Sequence, residues 1–327
     1  MKVFPTTQVT PELRQGAITI GNFDGCHLGH QNLIKKVQTY GSNLNLPKIV
    51  MTFDPNPKII FEKISQTNSL LFTNDQKQRA FEHLDIDALV MQKFDADFRN
   101  ISHGDFYERL LRANLDIHAL VVGENFAFGK GRMGDGAFLS EMAKRDDVYL
   151  SIESAVLWDN LPISSHRIRT ILSSSGDAES AAQMLGRPYS IEGVIGHGDK
   201  LGRRIGIPTA NLKNVVQLIP KEGVYAGYIW YESPSEPRYP NPLKLPINAK
   251  KAVINIGYRP TLELNEPQKV IEGHILHQNI GSDELYDKKA SFFLLKRIRD
   301  EKKFEGLAQL QAQIQTDIAT AIRILSQ

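Results

Sequence analysis

The sequence predicts two joined domains: an α/β domain built on a parallel sheet, then an antiparallel barrel or sandwich closed by one helix. Three observations carry this expectation. In the first half, short β-branched runs alternate with helical patterns over short links, the rhythm of a parallel sheet covered on both faces. From Pro188 onward, short apolar runs follow one another between turn signals with no helix between them, as in an antiparallel barrel or sandwich. Near the end, Leu307, Leu310, Ile314, Ile318, Ala321 and Leu325 recur at helical steps, which gives a helix one apolar face that must pack on something, expected to be the barrel.

In order along the chain, the expected strands of the first half are 18–20, 49–53, 88–91, 119–122 and 149–152. A helix over 29–40 follows a glycine turn. Further helices start after Asn74, Ser102 and Asp135, each a short polar residue suited to capping. Two more, 164–174 and 177–185, end at Gly186, a natural helix stop. The domain boundary is expected there, with 1–186 and 187–327 as the two domains. In the second half the strands are 190–195, 223–230, 251–256, 270–276 and 290–295, and the closing helix spans 304–325. The stretch 231–250 is rich in proline and polar residues and reads as an exposed loop.

Composition narrows the function classes. With 39 basic and 37 acidic side chains the formal charge is +2, too little to favour nucleic acid or an anionic membrane as the main partner. No run of the sequence has the length and apolarity of a membrane span, and MKVFPTTQVT lacks the apolar core of a signal peptide. One cysteine, Cys26, supports neither an internal disulfide framework nor a cysteine-rich metal site. A cytoplasmic enzyme or binding protein is the expectation.

The strongest local signal is GNFDGCHLGH, residues 21–30, directly after the strand AITI. In parallel sheets ligands sit beyond the carboxyl ends of the strands. Gly21 and Gly25 let the backbone turn tightly and approach a ligand, and the N-terminus of the following helix favours phosphate. His27 and His30, three residues apart, share a face near that end. Imidazole donors there can stabilise charge growing on phosphate oxygens in a displacement reaction. Two plainer readings stand beside this one: a purely structural turn, and a His-x-x-His metal pair that lacks an obvious third ligand. Cys26 is read as a small side chain tolerated in the turn.

These residues resemble the His-x-Gly-His signature of the nucleotidyltransferase superfamily, in the form found in prokaryotic FAD synthetases. Three later segments agree with that subfamily. FDPNP (53–57) resembles its Phe-x-Pro-x-Pro turn, GENFAFGKGRMGD (123–135) its nucleotide-receiving loop, and ISSHRIR (163–169) its Ile-Ser-Ser-Thr-x-x-Arg pattern. The resemblance implies nucleotide contacts from Gly21, Asn22, Phe23, Asp24 and Asn125, and phosphate contacts from Ser165 and Arg169. A guanidinium can fork onto a triphosphate, which suits Arg169. His166 stands where the family usually has threonine.

In the second half, GVIGHGDKLGRRIGIPTAN (193–211) is too rich in glycine and basic residues for barrel packing alone. Gly193, Gly198 and Gly202 suit a backbone that wraps phosphates. Thr209 and Asn211 offer oxygens suited to Mg²⁺ on ATP phosphates. The segment is not a Walker A loop. It resembles the riboflavin kinase signature, and GVY (223–225), NIGYRPT (255–261) and RDEKKF (299–304) follow in that family's order. Glu272 falls at the position of its catalytic carboxylate. Asp287 stands where the family commonly has glycine.

The whole chain is therefore similar to the prokaryotic bifunctional riboflavin kinase/FMN adenylyltransferase (FAD synthetase) family. The resemblance implies a Rossmann-like nucleotidyltransferase domain followed by a six-stranded antiparallel barrel with a C-terminal helix. It implies ATP as co-substrate, Mg²⁺ as cofactor, and riboflavin, FMN and FAD as substrates and products. The alternative is an FMN adenylyltransferase whose barrel only binds flavin, which would arise if the turn at Asp287 displaced a group the kinase needs.

Overall fold

A computed structural model describes residues 1–6, 10–62, 69–197, 206–259, 268–276 and 285–326. The chain divides into two compact units, Met1–Gln66 with Phe72–Ser164, and Thr67–Leu71 with Ser165–Gln327.

In the first unit, β1 (Lys2–Pro5), β2 (Ala17–Ile20), β3 (Lys48–Asp54), β4 (Ala88–Lys93), β5 (Ala119–Gly123) and β6 (Tyr149–Glu153) form one sheet. Its order is β1-β4-β3-β2-β5-β6, and every pairing is parallel. The central β2, AITI, is buried along its whole length, as a strand covered on both faces must be. The helices are α1 (Leu28–Leu44), α2 (Pro57–Glu62), α3 (Asn74–His83), α4 (Ala96–Arg99), α5 (His103–Asp105, running on as Phe106–Asn114) and α6 (Gly136–Arg145). Caps set their starts. Ser102 and Asp135 each accept a backbone N–H three residues on, at 2.9 Å. The helix expected to start after Asn74 instead includes it. Thr73 is the cap, in a reciprocal capping box with Gln76. The strand β1 was not evident in the sequence, because an edge strand of four mostly exposed residues shows no alternation. A small hairpin, β7 (Leu157–Trp158) with β8 (Leu161–Pro162), also escaped it.

The sheet order places the candidate site. Its connections run outward in opposite directions from β2, whose neighbours are β3 and β5. A crevice opens outside the carboxyl ends of the strands at such a switch point. The 21–27 turn, the 53–57 segment and the loop after β5 all leave strands at this end of the sheet.

The second unit holds α7 (Ser165–Ser174), α8 (Ala178–Leu185) and six strands: β9 (Tyr189–Gly196), β10 (Ala210–Lys213), β11 (Gly223–Tyr231), β12 (Lys250–Arg259), β13 (Gln268–Ile275) and β14 (Lys289–Arg299). They close into an antiparallel barrel in the order β10-β13-β12-β11-β14-β9, which resolves barrel against sandwich. Closure leaves no unpaired edge. The strand that sequence reading did not anticipate is β10, hidden inside the glycine-rich segment. Gly186 ends α8 at φ 74°, as expected of a C-cap glycine, and α8 packs on β9 and β14.

The closing helix, α9 (Leu307–Leu325), starts three residues later than expected. It lies on the outer face of the barrel, with Ala321 and Leu325 buried against Val224, Ala226, Val253 and Leu276. The loop between β11 and β12 is anchored rather than merely exposed. Trp230 Nε1 donates to Glu236 Oε2 at 2.8 Å, and Tyr239 donates its hydroxyl to the Gly193 carbonyl at 2.8 Å.

Candidate active sites

At the end of β2 the chain turns through Phe23 (φ 48°), Gly25 (φ 77°) and Cys26 (φ 41°) before α1 begins. Three left-handed residues in four make a tight reversal that only small or well-packed side chains tolerate. His27 caps the helix. Its Nδ1 accepts the His30 backbone N–H at 3.3 Å, so the proton of the neutral ring sits on Nε2. The two imidazoles stack at 3.6 Å with 16° between their planes. Behind them Phe23, fully buried, meets His30 edge-on at 5.2 Å.

His30 is held well below the ordinary histidine range, first by burial, then by His27 and Lys77. Its Nδ1 is buried and has no hydrogen-bond partner among the described residues. Lys77, on α3, is itself only 2% exposed. Burial pushes its ammonium pKa down, and Asp24 and Asp54 push it back up. The positive charge that faces the histidine pair thus comes from a residue that sequence reading passed over. Its signal was present: Gln76, Lys77, Ala80 and Phe81 form the buried face of α3.

The other expected residues of this half separate into two groups. Asn22 and Asn125 are exposed. Phe23 and Asp24 turn inward, and Asp24 Oδ1 accepts the Phe72 backbone N–H at 2.9 Å. Asp24 therefore ties the turn to the chain entering α3. Ser165 and Arg169 lie in the second unit, one turn apart on α7, a spacing that puts them on one helix face.

Sequence reading also missed a run of aromatic rings beyond the strand ends. Phe53, Phe94 and Phe98 lie mutually 5.8–5.9 Å apart. Phe98 leads to Phe106 at 6.1 Å, Phe106 to Phe128 at 4.8 Å, and Phe128 stacks with Phe126 at 5.4 Å. Phe106 and Phe128 belong to the buried core of the domain, and the half-buried Phe53, Phe94, Phe98 and Phe126 form a platform at its margin, a surface of the kind that suits a large flat ligand. Phenylalanines scattered over 75 positions carry no local motif that would have announced it.

The barrel builds its site from register. Asn211 on β10 stands opposite Glu272 on β13, Glu272 opposite Asn255 on β12, Asn255 opposite Val224 on β11, and Val224 opposite Arg299 on β14. Directly opposed residues point to the same side of a sheet, so these five form one row on the face that receives α9. Glu272, Asn255, Val224 and Arg299 line a cavity of about 240 Å³, with Thr209 and His274 at one side. Leu310, Ile314 and Asp317 supply the α9 wall.

Two links hold this cavity. Arg299 donates through Nε to Asp317 Oδ1 at 2.9 Å and through Nη2 to Oδ2 at 2.7 Å, while Gln313 also donates to Oδ1 at 2.9 Å. Asp317 is 3% exposed, so the forked pair is largely screened from water and its geometry is strongly specified. On the other side, His274 Nδ1 lies 2.8 Å from the Pro208 carbonyl and holds the backbone next to Thr209.

Asn211 is 5% exposed, and its Oδ1 has no hydrogen-bond partner among the described residues. Gly198 and Gly202 lie outside the described residues. Gly193 has a packing reason of its own: a first side-chain carbon there would overlap the Lys213 carbonyl of β10. Gly193→Ala is thus expected to destabilise the barrel by about 1–3 kcal/mol, read as a lower urea midpoint. Unchanged stability with weaker ATP binding would assign this glycine to the nucleotide alone.

The sequence pattern of the FAD synthetase family matches residues 9–167, and that of the riboflavin kinase family matches residues 185–325. A bifunctional riboflavin kinase/FMN adenylyltransferase from Escherichia coli (strain K12) is 34% identical, covering 93% of this chain and 91% of its own. One from Bacillus subtilis (strain 168) is 32% identical, covering 98% and 96%. The chain belongs to this bifunctional family. A solved structure from Streptococcus pneumoniae, described as a macrolide-efflux protein, matches 98% of this chain and 99% of its own with a TM-score of 0.82 at 24% identity. That likeness is one of fold, and it extends over both domains. No helix among the described residues is long and apolar enough to cross a membrane.

For a member of this family, the residues that the motifs named and the residues that build the site overlap only in part. Glu272 and Thr209 line one cavity. Asn255 and Arg299 lay inside quoted motifs without a role, and register is what brings them beside Glu272.

Proposed function

We propose that the barrel cavity phosphorylates riboflavin to FMN and that the parallel-sheet domain adenylylates FMN to FAD, each with its own ATP. The observation that carries the kinase assignment is the polar row, with Glu272 standing opposite the orphaned Asn211 oxygen. Glu272 accepts the proton of the ribityl 5′-hydroxyl as that oxygen attacks the γ-phosphorus; the bond from γ-phosphorus to the bridging oxygen breaks, and ADP leaves. In the other half an FMN phosphate oxygen attacks the α-phosphorus of ATP, and pyrophosphate leaves. His27 and His30 can each donate an N–H to oxygens on which charge grows. Asn125, Ser165 and Arg169 position the nucleotide, and the phenylalanine platform receives the isoalloxazine ring.

The functional boundary falls near Gly186. Thr209 and Asn211 would hold Mg²⁺. A buried carboxamide oxygen without a donor is costly unless something fills its lone pairs, and a hard cation takes such oxygens. Bound there, the cation supplies charge neutralisation for the ATP phosphates. Asp287 does not favour the single-activity alternative. It takes the left-handed conformation (φ 62°) that Asp tolerates, and its N–H donates to the Ile195 carbonyl at 2.8 Å, so the turn forms without glycine. A cytoplasmic setting, where ATP is abundant, fits both reactions.

Incubating the purified protein with riboflavin, ATP and Mg²⁺ is expected to give FMN and FAD on chromatography, and neither after chelation. FMN formation that persists under chelation would remove Thr209 and Asn211 from a metal role. Absence of both products across pH would overturn the reading.

A further inference from the structure

We propose that Lys77 binds the phosphate of FMN in the adenylyl-transfer site and holds it beside the histidine pair; this rests on the adenylyltransferase reading of that site. Lys77 stands at the end of the first turn of α3, where its N–H donates to the carbonyl of the cap residue Thr73 at 3.0 Å. Contacts on either side of it fasten this helix to the 21–30 turn. Phe81, four residues on and so on the same helix face, meets Phe23 edge-on at 5.6 Å, and Phe23 meets His30 at 5.2 Å. Ahead of Lys77, the Phe72 N–H donates to Asp24 at 2.9 Å. Asn74 Nδ2 donates to Asp54 Oδ1 at 2.8 Å, at the carboxyl end of β3. The ammonium is thereby brought to the crevice outside the strand ends, where its charge acts on His30.

Burial and bonding disagree at this residue unless an anion completes it. Lys77 is 2% exposed, and among the described residues its ammonium makes no hydrogen bond and no ion pair. Asp24 and Asp54 lie near enough to favour its charge, yet each turns Oδ1 to a different donor. The carboxylates thus oppose neutralisation while the three ammonium N–H groups stay free. A buried ammonium without partners is costly, and a cation near a helix N-terminus adds to that cost. A phosphate offsets both. Two sources of phosphate meet in this crevice, FMN and ATP, and the sheet order separates them. Phe53 of the aromatic platform and Asp54 end β3 on one side of β2, while Asn125 follows β5 on the other. A flavin lying on the platform runs its ribityl phosphate past Lys77 toward the histidines, and the nucleotide comes to them from the opposite side. A monoester also meets less repulsion from Asp24 and Asp54 than a polyphosphate does.

The test follows conversion of supplied FMN to FAD by wild-type protein and by Lys77→Met, which fills much of the same space without charge. KM for FMN is expected to rise about tenfold to a hundredfold, the range for losing a hydrogen bond to a charged group. KM for ATP should move by less than about threefold, since no contact to ATP is lost. The inhibitor 5′-deoxyriboflavin has the flavin ring but neither a phosphate nor the hydroxyl that would receive one. Its inhibition constant should agree between the two proteins within about twofold, because it offers Lys77 nothing to bind. The urea midpoint of Lys77→Met should stay at or above that of wild type, because a buried charge without a partner has been removed. Lys77→Arg and Lys77→Gln repeat the comparison with polar side chains, and the arginine variant should keep more of the affinity for FMN. A lower midpoint with both flavins weakened alike would show a structural role and overturn the proposal, as would a glutamine variant that matches the arginine one. An unchanged KM for FMN would overturn it too. A rise confined to KM for ATP would assign Lys77 to the polyphosphate and overturn the assignment to FMN. Wild-type protein that makes FMN from riboflavin but no FAD would refute the adenylyltransferase reading itself and this proposal with it.

Discussion

Glu272→Ala is expected to lower FMN formation from riboflavin by about two to four orders of magnitude, the usual cost of losing a positioned base, while added FMN is still converted to FAD. The size follows from placement. Glu272 is half-buried on β13, held between Asn211 and Asn255 by the register of two neighbouring strands. Neither neighbour is a base, so neither takes over the proton. Folding should survive, because Glu272 lies on the outer face of the barrel and its apolar neighbours Ile271 and Ile275 stay in place. The measurement is a single-turnover assay from riboflavin beside one from FMN, with unfolding curves for both proteins. A Glu272→Ala protein that keeps a tenth or more of the kinase rate would remove this carboxylate from the reaction.

Replacing both His27 and His30 with alanine should have the opposite outcome. FMN should accumulate from riboflavin while FAD formation drops by about two to three orders of magnitude, the loss typical of removing one oxyanion donor, or more for two. Because the His30 ring packs edge-on against Phe23, its removal also leaves space there. His30→Leu alone, which fills much of the ring's space but has no N–H to donate, separates lost packing from lost donation. The ring's depressed pKa gives a sign to the pH dependence. The unfolded chain takes a proton on this side chain near pH 6.5, above the folded value. Stability that depends on keeping it neutral is complete above about pH 6.5 and is lost as pH falls from there. Loss of both activities in a folded double variant would mean that the two reactions share groups.

Much of the fold was legible in the sequence because its signals are local. Strand runs such as AITI, caps such as Ser102 and Asp135, and the glycine at 186 each act within one turn or one strand. The elements that escaped notice are those whose cause is distant. β1 exists only because β4 offers it an edge, and β10 only because β9 and β13 close around it. The same division holds at the sites. The histidine pair and Glu272 announce themselves by motif. Lys77, Asn255, Arg299 and the phenylalanine platform gain their meaning from neighbours far along the chain, to which spacing is blind.

The closed barrel makes the row from Asn211 to Arg299 an all-or-nothing arrangement. In an open sheet a strand can creep along its neighbour and settle in a new alignment. Here the ring is completed by β9 against β10, so the total stagger around it is a whole number that no single strand can change alone. A one-residue slip would turn every side chain of that strand to the opposite face. The spacing of Glu272 from Asn211 is therefore quantised. Damage elsewhere in the barrel should lower the fraction of intact molecules and leave the survivors with an undistorted site.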